Sequence, residues 1–341
     1  MKTVGIIGAG QLAQLLAHNA YQLGLKTLCF SEQPDAPAAR NSALYIGNLS
    51  CQKDLTKFAE QVDVITIENE NIDRSVLQTL STIKPVYPDE QALVSAQQRI
   101  TEKTLFQQLD ITTPQFIAIT TQADIDQLPA SFPFPAILKT CRFGYDGKGQ
   151  VPVKDRSDLA QAWHTLKQTD CILEQRISFE CEVSILAARN SFGEIVYYPL
   201  IENQHQQGIL RQSLCPYNNA NLQQMAENVI GRILNNLNYV GLLALELFVV
   251  NGQLYANEMA PRVHNSGHVT IESLNCSQFE NHLRAICNLP LIRPKIQCDA
   301  KMLNVIGDWS ILDNLPQQPM HIYNYGKAPR LNRKLGHIIL T

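Results

Sequence analysis

Two carboxylates carry the strongest chemical signal in this chain of 341 residues. In GLLALELFVVNGQLYANEMAPR, two apolar segments flank Asn251-Gly252, a strong hairpin signal, and each segment holds one acid, Glu246 and Glu258. An acid among apolar strand residues is costly unless its charge is compensated, and two acids brought together repel. A cation between them resolves both problems, and oxygen ligands beside phosphates select Mg2+ (or Mn2+). Register decides whether they can share it. A plain two-residue Asn-Gly loop pairs Glu246 with Asn257 and sends Glu258 to the opposite face, whereas a three-residue connection or a bulge puts both acids on one face. We expect the second arrangement; the alternative is two unrelated acids on a half-exposed sheet.

The next segment, APRVHNSGHVTIE, crowds Arg262, His264, Asn265, Ser266 and His268 around Gly267. Such a cluster of donors suits a small multiply charged oxyanion or a sugar phosphate. His264 and His268 have a spacing that zinc can use, but no third soft ligand follows and Arg262 repels a metal. Upstream, KTCRFGYDGKGQ sets Gly144, Gly147 and Gly149 where the backbone can approach an anion, with Lys139 before the loop and Lys148 within it. The pattern is not GxxxxGK[ST], which excludes a Walker-type loop. Without its lysines this would read as an ordinary hairpin tip; with them and Arg99, it reads as a flap covering phosphates.

These groups need a scaffold, and the first hundred residues supply alternating strand and helix signals: TVGIIG, QLAQLLAHNAYQLG, KTLCF, DLTKFAEQ, VDVITIE, SVLQTLS and KPVYP. That is the pattern of a parallel sheet with helices on its faces. Its opening VGIIGAGQLAQLL fits GxGxxG/A, and Glu32 follows at the distance of a ribose-binding acid, so a nicotinamide cofactor is one reading. The other is only a strand-turn-helix geometry serving some other phosphate. Glu68 and Glu70 fall past a strand's C-terminal end, where open parallel sheets bind ligands, although solvated charges in a loop would look the same. Farther on, SAQQRITEKTLFQQLD reads as one helix, FPAILKTCRFGYDGKGQVPV as two strands around the glycine loop, and the region beyond residue 290 as short strands and turns.

Composition narrows the class. A net charge of −3 and a pI near 6.2 argue against nucleic acid or an anionic membrane surface as partner. The nine cysteines are scattered without a CxxC pair, which reads as reduced thiols of a cytoplasmic protein. No export signal or apolar run of membrane-spanning length is evident.

Arg99, ILKT, GYDGKGQ, ILEQRISFECEVSI, YYPLIENQHQQGIL, YVGLLALELFV, NEMAPRVHNSGH, SQFENHLRAI and the terminal YGK and NRKLGHI together resemble the bacterial N5-carboxyaminoimidazole ribonucleotide synthetases. These are ATP-grasp ligases of purine biosynthesis, and the match runs in order over nearly the whole chain. The resemblance implies an α/β and α+β enzyme of three domains. These are a Rossmann-like N-terminal domain over residues 1–95, an ATP-grasp core over 96–289 with a flap subdomain near 112–174, and a small β-rich domain over 290–341. It implies ATP, bicarbonate and 5-aminoimidazole ribonucleotide as substrates, Mg2+ as the metal, no NAD, and a homodimer. A sister ATP-grasp ligase acting on another amine would share the ATP residues but not HNSGH and NRKLGH.

By the same resemblance Arg99, Lys139 and the loop Gly144, Tyr145, Asp146, Gly147, Lys148, Gly149 and Gln150 hold ATP phosphates. Glu174, Gln175, Arg176 and Ile177 form the adenine-side hinge, Glu182 meets the ribose, and His205 belongs to the nucleotide site. Glu246 and Glu258 bind the metal, with Asn257 beside them. Arg262, His264, Asn265 and Ser266 form the catalytic group facing bicarbonate and the ribonucleotide, which Tyr145 and Asp146 also reach. Lys327, Arg333 and Lys334, joined by the Gly10-Gln11 turn, take the 5'-phosphate. The family usually reads GGGQLGRM where this chain has GAGQLAQL, so Ala9, Ala13 and Gln14 depart from it, Gln14 in place of an anion-contacting Arg. Members usually continue for a further helix after the position of Thr341.

Overall fold

The computed structural model describes residues 1–144, 147–315 and 318–341. Strands Ala43–Ile46, Lys26–Ser31, Thr3–Ile7 and Val64–Ile67 form a parallel sheet in that order. Both its faces are covered, which is why its central strands are almost wholly apolar. Val4 and Ile6 pack with Leu12 and Leu16 of the helix Gln11–Gln22, and Ile7, Ile65 and Ile67 with Leu55 and Phe58 of the helix Gln52–Ala59. KPVYP, read as a strand, contributes a single bridge between Val86 and Ile65. Pro85 and Pro88 remove the donors a longer ladder would need.

The segment expected as one helix is two, Glu90–Gln97 and Arg99–Gln108. Gln98 between them is extended, at φ −126° and ψ 117°. The break is held from outside: the Gln97 amide donates to the carbonyls of Glu70 and Ile72, and the Arg99 N–H to that of Cys141. A bend that helix propensity does not call for thus sets Arg99 at the mouth of a new helix.

Strands Phe116–Ile119, Cys171–Gln175, Ala136–Thr140 and Gln150–Val153 form a small antiparallel sheet in that order, packed on Leu159, Ala162 and Trp163 of the helix Leu159–Thr165. The glycine loop joins its last two strands as the sequence suggests; Tyr145 and Asp146 lie outside the described residues.

A nine-stranded sheet forms the body. Its order is Gln253–Ala260, Gly241–Val250, Cys181–Arg189, Ile201–Gln206, Ile209–Cys215, Ala300–Ile306, Lys334–Leu340 and Met320–Asn324, with Ile195–Tyr197 also paired to Cys181–Arg189. Because Cys215 pairs with Ala300, the C-terminal strands continue the core sheet instead of building their own. Buried polar contacts fasten the N-terminal sheet to this body: Ser277 Oγ donates to Asn19 Oδ1 at 2.9 Å, and Thr66 Oγ1 lies 2.8 Å from His282 Nε2. None of the nine cysteines is paired. Among the described residues no helix is long and apolar enough to cross a membrane.

Candidate active site

The hairpin resolves its register with a bulge. Val250 pairs with Gln253 across the Asn251-Gly252 loop, and the ladder runs regularly to Leu247 and Ala256; then Glu246 pairs with Glu258, and Asn257 is the extra residue. One inserted residue therefore brings both acids to the same face. Glu246 also pairs with Ser184, and Asn203 with both Glu182 and Ser213, so alternate residues of four strands make one polar floor. Burial and the nearby Glu258 charge lift the Glu246 carboxyl above the usual range. For Glu258 burial works the same way, but Arg99, whose Nη1 donates to its Oε2 at 2.8 Å, overrides it and holds that carboxyl low.

Glu68 and Glu70, which could have been solvated loop charges, are both committed. Glu68 caps the first helix, accepting from the Gly10 N–H at 2.6 Å and the Ala13 N–H at 3.0 Å. The two fingerprint glycines make room for it: a Cβ on Gly8, whose φ is +105°, would fall 2.4 Å from Glu68 Cγ, and one on Gly10 would fall 2.8 Å from Oε1. The Gly10 amide, expected to meet a substrate phosphate, is therefore taken by the protein's own carboxylate. Glu70 pairs with Arg262 through both its oxygens, to Nε and, at 2.9 Å, to Nη2. Burial opposes its charge, yet Arg262 keeps the carboxyl below its ordinary value.

In the small sheet, Glu174 bridges Lys103 Nζ at 2.6 Å and Lys139 Nζ at 2.5 Å. Burial would raise its carboxyl, but the two lysines hold it at about 2. The Glu174 side chain thus neutralises cations, while Gln175, Arg176 and Ile177 run from the end of the small sheet towards the body. Glu182 Oε2 lies 2.6 Å from His205 Nδ1. Against burial, the hydrogen bond to Glu182 and the Glu246 charge raise the His205 imidazole above its ordinary value.

The oxyanion group divides. His264 lines the cleft with Nε2 3.6 Å from Glu246 Oε1; burial and Arg262 push its imidazole down to about 3, so it is neutral. Ser266, expected to face substrate, is fully buried, with its Oγ between Ser184 Oγ at 2.8 Å and His264 Nδ1 at 2.9 Å. The Asn265 side chain exchanges two hydrogen bonds with Asn304 and so ties the loop to the C-terminal strand Ala300–Ile306. In the C-terminal basic loop Lys327 Nζ donates to Gln11 Oε1 at 2.5 Å, and Arg333 Nη1 to the Ala328 carbonyl at 3.1 Å.

A cleft of about 1360 Å³ joins these parts. Of the expected residues it is lined by Gly10, Gln11, Arg99, Gly144, Gly147, Lys148, Glu246, Glu258, Arg262, His264, Asn265, Lys327, Arg333 and Lys334. Lys139, Gly149, Gln150, Glu174 to Ile177, Glu182, His205, Asn257 and Ser266 are not among its lining residues. Sequence reasoning missed Lys103, Arg330 and the floor residues Ser184, Asn203 and Ser213. Polar residues at alternate positions, Glu182 with Ser184 and Asn203 with His205, were the available signal for the floor.

Three family matches follow one another along the chain. A ribonucleotide synthetase preATP-grasp domain covers residues 1–97, an ATP-grasp domain 104–279, and a phosphoribosylaminoimidazole carboxylase C-terminal domain 300–341. The N5-carboxyaminoimidazole ribonucleotide synthase of Pseudomonas aeruginosa is 42% identical over 338 residues, spanning 99% of this chain and 94% of that protein. That of Bacillus subtilis is 36% identical over 342 residues, spanning 98% and 90%. The crystal structure of the synthetase from Thermus thermophilus aligns with a TM-score of 0.93 at 41% identity, over 99% of this chain and 93% of that one. The Aspergillus clavatus enzyme, in complex with ADP and 5-aminoimidazole ribonucleotide, aligns with a TM-score of 0.91 at 26% identity, over 100% and 93%. With the paired acids, the cleft and the order of its parts, these matches establish that the chain belongs to the N5-carboxyaminoimidazole ribonucleotide synthases, ATP-grasp ligases of purine biosynthesis.

Proposed function

We propose that the cleft carboxylates 5-aminoimidazole ribonucleotide with bicarbonate at the expense of ATP, and that its two ends divide the work. The observation that carries this reading is the Glu246–Glu258 pair, which lines one continuous cleft together with Lys148 of the flap loop and the basic C-terminal residues Lys327, Arg330 and Arg333. Bicarbonate is a poor electrophile. Transfer of the γ-phosphoryl group to one of its oxygens gives carboxyphosphate and ADP; the ribonucleotide amine then takes the carboxyl carbon, or the CO2 released beside it, and phosphate leaves.

The chain's own part is to hold and neutralise anions. Arg99, Lys139, Lys148 and the glycine loop take the ATP phosphates, Glu174 to Ile177 the adenine side, and Glu182 and His205 the ribose side. Glu246 and Glu258 would hold Mg2+: two carboxylates in register, one pushed towards its neutral form by burial and by the charge of the other, suit a divalent cation as third partner. When bound, that cation offsets charge on the phosphate oxygens. Arg262 and His264 face bicarbonate and carboxyphosphate, and Lys327, Arg333 and Lys334 the 5'-phosphate. Tyr145 and Asp146 complete the proposed flap contacts. We further place the enzyme in the cytoplasm as a homodimer, which sedimentation of the purified chain tests.

Phosphate release from ATP, measured with and without bicarbonate and the ribonucleotide, tests the reading. Release should require both. Stimulation by neither would overturn it, and stimulation by a different amine would assign the site to a sister ATP-grasp ligase.

A further inference from the structure

A chain of buried hydrogen bonds ends on His264, and its polarity is set by a group that cannot be turned round. The Ser266 backbone N–H points at His264 Nδ1 at 3.3 Å, and a backbone N–H only donates, so Nδ1 must be the bare, accepting nitrogen. The direction of each further link follows. Ser266 Oγ, 2.9 Å from the same Nδ1, must donate to it, and therefore accepts from Ser184 Oγ at 2.8 Å. Ser184 Oγ in turn accepts from Asn203 Nδ2 at 3.0 Å, and Asn203 Oδ1 accepts from Ser213 Oγ at 2.8 Å. Ser184, Ser213 and Ser266 are fully buried and Asn203 is 4% exposed, so no water competes for these bonds. Each hydroxyl gives its one proton in the same direction.

We infer that Ser213, Asn203 and Ser184 are positioning residues which, through Ser266, fix His264 as the Nε2–H tautomer, so that it meets the substrates in the cleft as a hydrogen-bond donor and not as a base. This rests on the reading of the cleft as the carboxylation site. The proton lies on Nε2, the nitrogen beside Glu246, at 3.6 Å from Oε1 and too far for a hydrogen bond, which leaves it for an anion in the cleft. A neutral donor stabilises negative charge gathering on bicarbonate or carboxyphosphate oxygens without taking the amine proton. The relay makes the same choice in every molecule, because an Nδ1–H would leave the buried Ser266 N–H facing another donor, and Ser266 Oγ could accept from it only if Ser184, Asn203 and Ser213 turned over as well.

The tautomer is read directly from the imidazole nitrogens in a long-range 1H–15N spectrum of the full-length 15N-labelled chain, with His264 assigned by its loss in His264→Gln. The native protein should show protonated Nε2 and bare Nδ1; a protonated Nδ1 would overturn the proposal without any enzyme assay. In Ser184→Ala the relay is cut, and kcat should fall about tenfold while the KM for ATP holds; an unchanged tautomer together with an unchanged kcat would also overturn it. A donor role further predicts that His264→Gln, which keeps an N–H near the Nε2 position, retains at least ten times the kcat of His264→Leu. Equal loss in the two would assign His264 the role of base. Failure of the native enzyme to release phosphate in response to bicarbonate and ribonucleotide would count against the proposed reaction alone, since the spectrum decides the relay independently.

Discussion

Lys103 and Lys139 hold opposite oxygens of one carboxylate, that of Glu174, at 2.6 and 2.5 Å. Lys103 is buried and also donates to the Ala256 carbonyl at 3.0 Å, so it belongs to the scaffold, whereas Lys139 stands next to the flap loop. In the proposed reading Lys139 turns to a phosphate, and Glu174 then keeps Lys103. Lys139→Met should therefore fold normally and raise the KM for ATP by about tenfold or more. Lys103→Met should cost about 3–5 kcal/mol in urea unfolding, the range for breaking a buried ion pair.

Acid tests the same group. Glu174 is held at about 2, against an ordinary value of 4.5. A carboxyl depressed in the folded state stabilises fully above its unfolded value and loses that contribution as pH falls towards the folded one. Acid unfolding should draw on Glu174 between about pH 4.5 and 2, and in Lys139→Met that loss should begin at higher pH.

Glu258→Gln should abolish ATP turnover by removing a carboxylate of the proposed metal site and the charged partner of Arg99. Thermal unfolding separates this from misfolding. Mg2+ with ADP should raise the native midpoint and leave that of Glu258→Gln unmoved, because only a ligand bound by the folded state stabilises it.

Arg333→Ala should raise the KM for the ribonucleotide about tenfold and leave the KM for ATP unchanged. A rise confined to the ATP constant would move Arg333 out of the phosphate end.

Gly10→Ala should destabilise by about 1–3 kcal/mol through overlap with the Glu68 carboxylate. In Glu68→Ala that obstacle is gone, so the double variant should be more stable than the sum of the single losses by about 0.5–3 kcal/mol. Strict additivity in urea unfolding would detach the glycine from Glu68.

The legible parts were those with local causes. The alternation of strands and helices, the Asn251-Gly252 hairpin and the choice between two registers all follow from neighbours in sequence, and the bulge at Asn257 is the choice the two acids require. What stayed hidden was long-range. Arg262 and Glu70 are 192 residues apart, Lys103 and Ala256 are 153 apart, and no spacing rule pairs them. The break at Gln98 had no propensity signal because its cause is the carbonyls of Glu70, Ile72 and Cys141. Ser266 looked like a substrate contact because its type suits one, and only packing reveals that its hydroxyl faces inward.

The unbroken nine-stranded sheet has a mechanical consequence. The basic loop of Lys327, Arg330 and Arg333 and the hairpin that carries the paired acids hang from one hydrogen-bonded slab, and the N-terminal sheet is bolted to it by the Asn19–Ser277 and Thr66–His282 contacts. Among the described residues the small flap sheet shares no strand with that slab. Under the proposed reaction, an opening that admits ATP costs least at the flap, because displacing it breaks no rung of the slab's ladder.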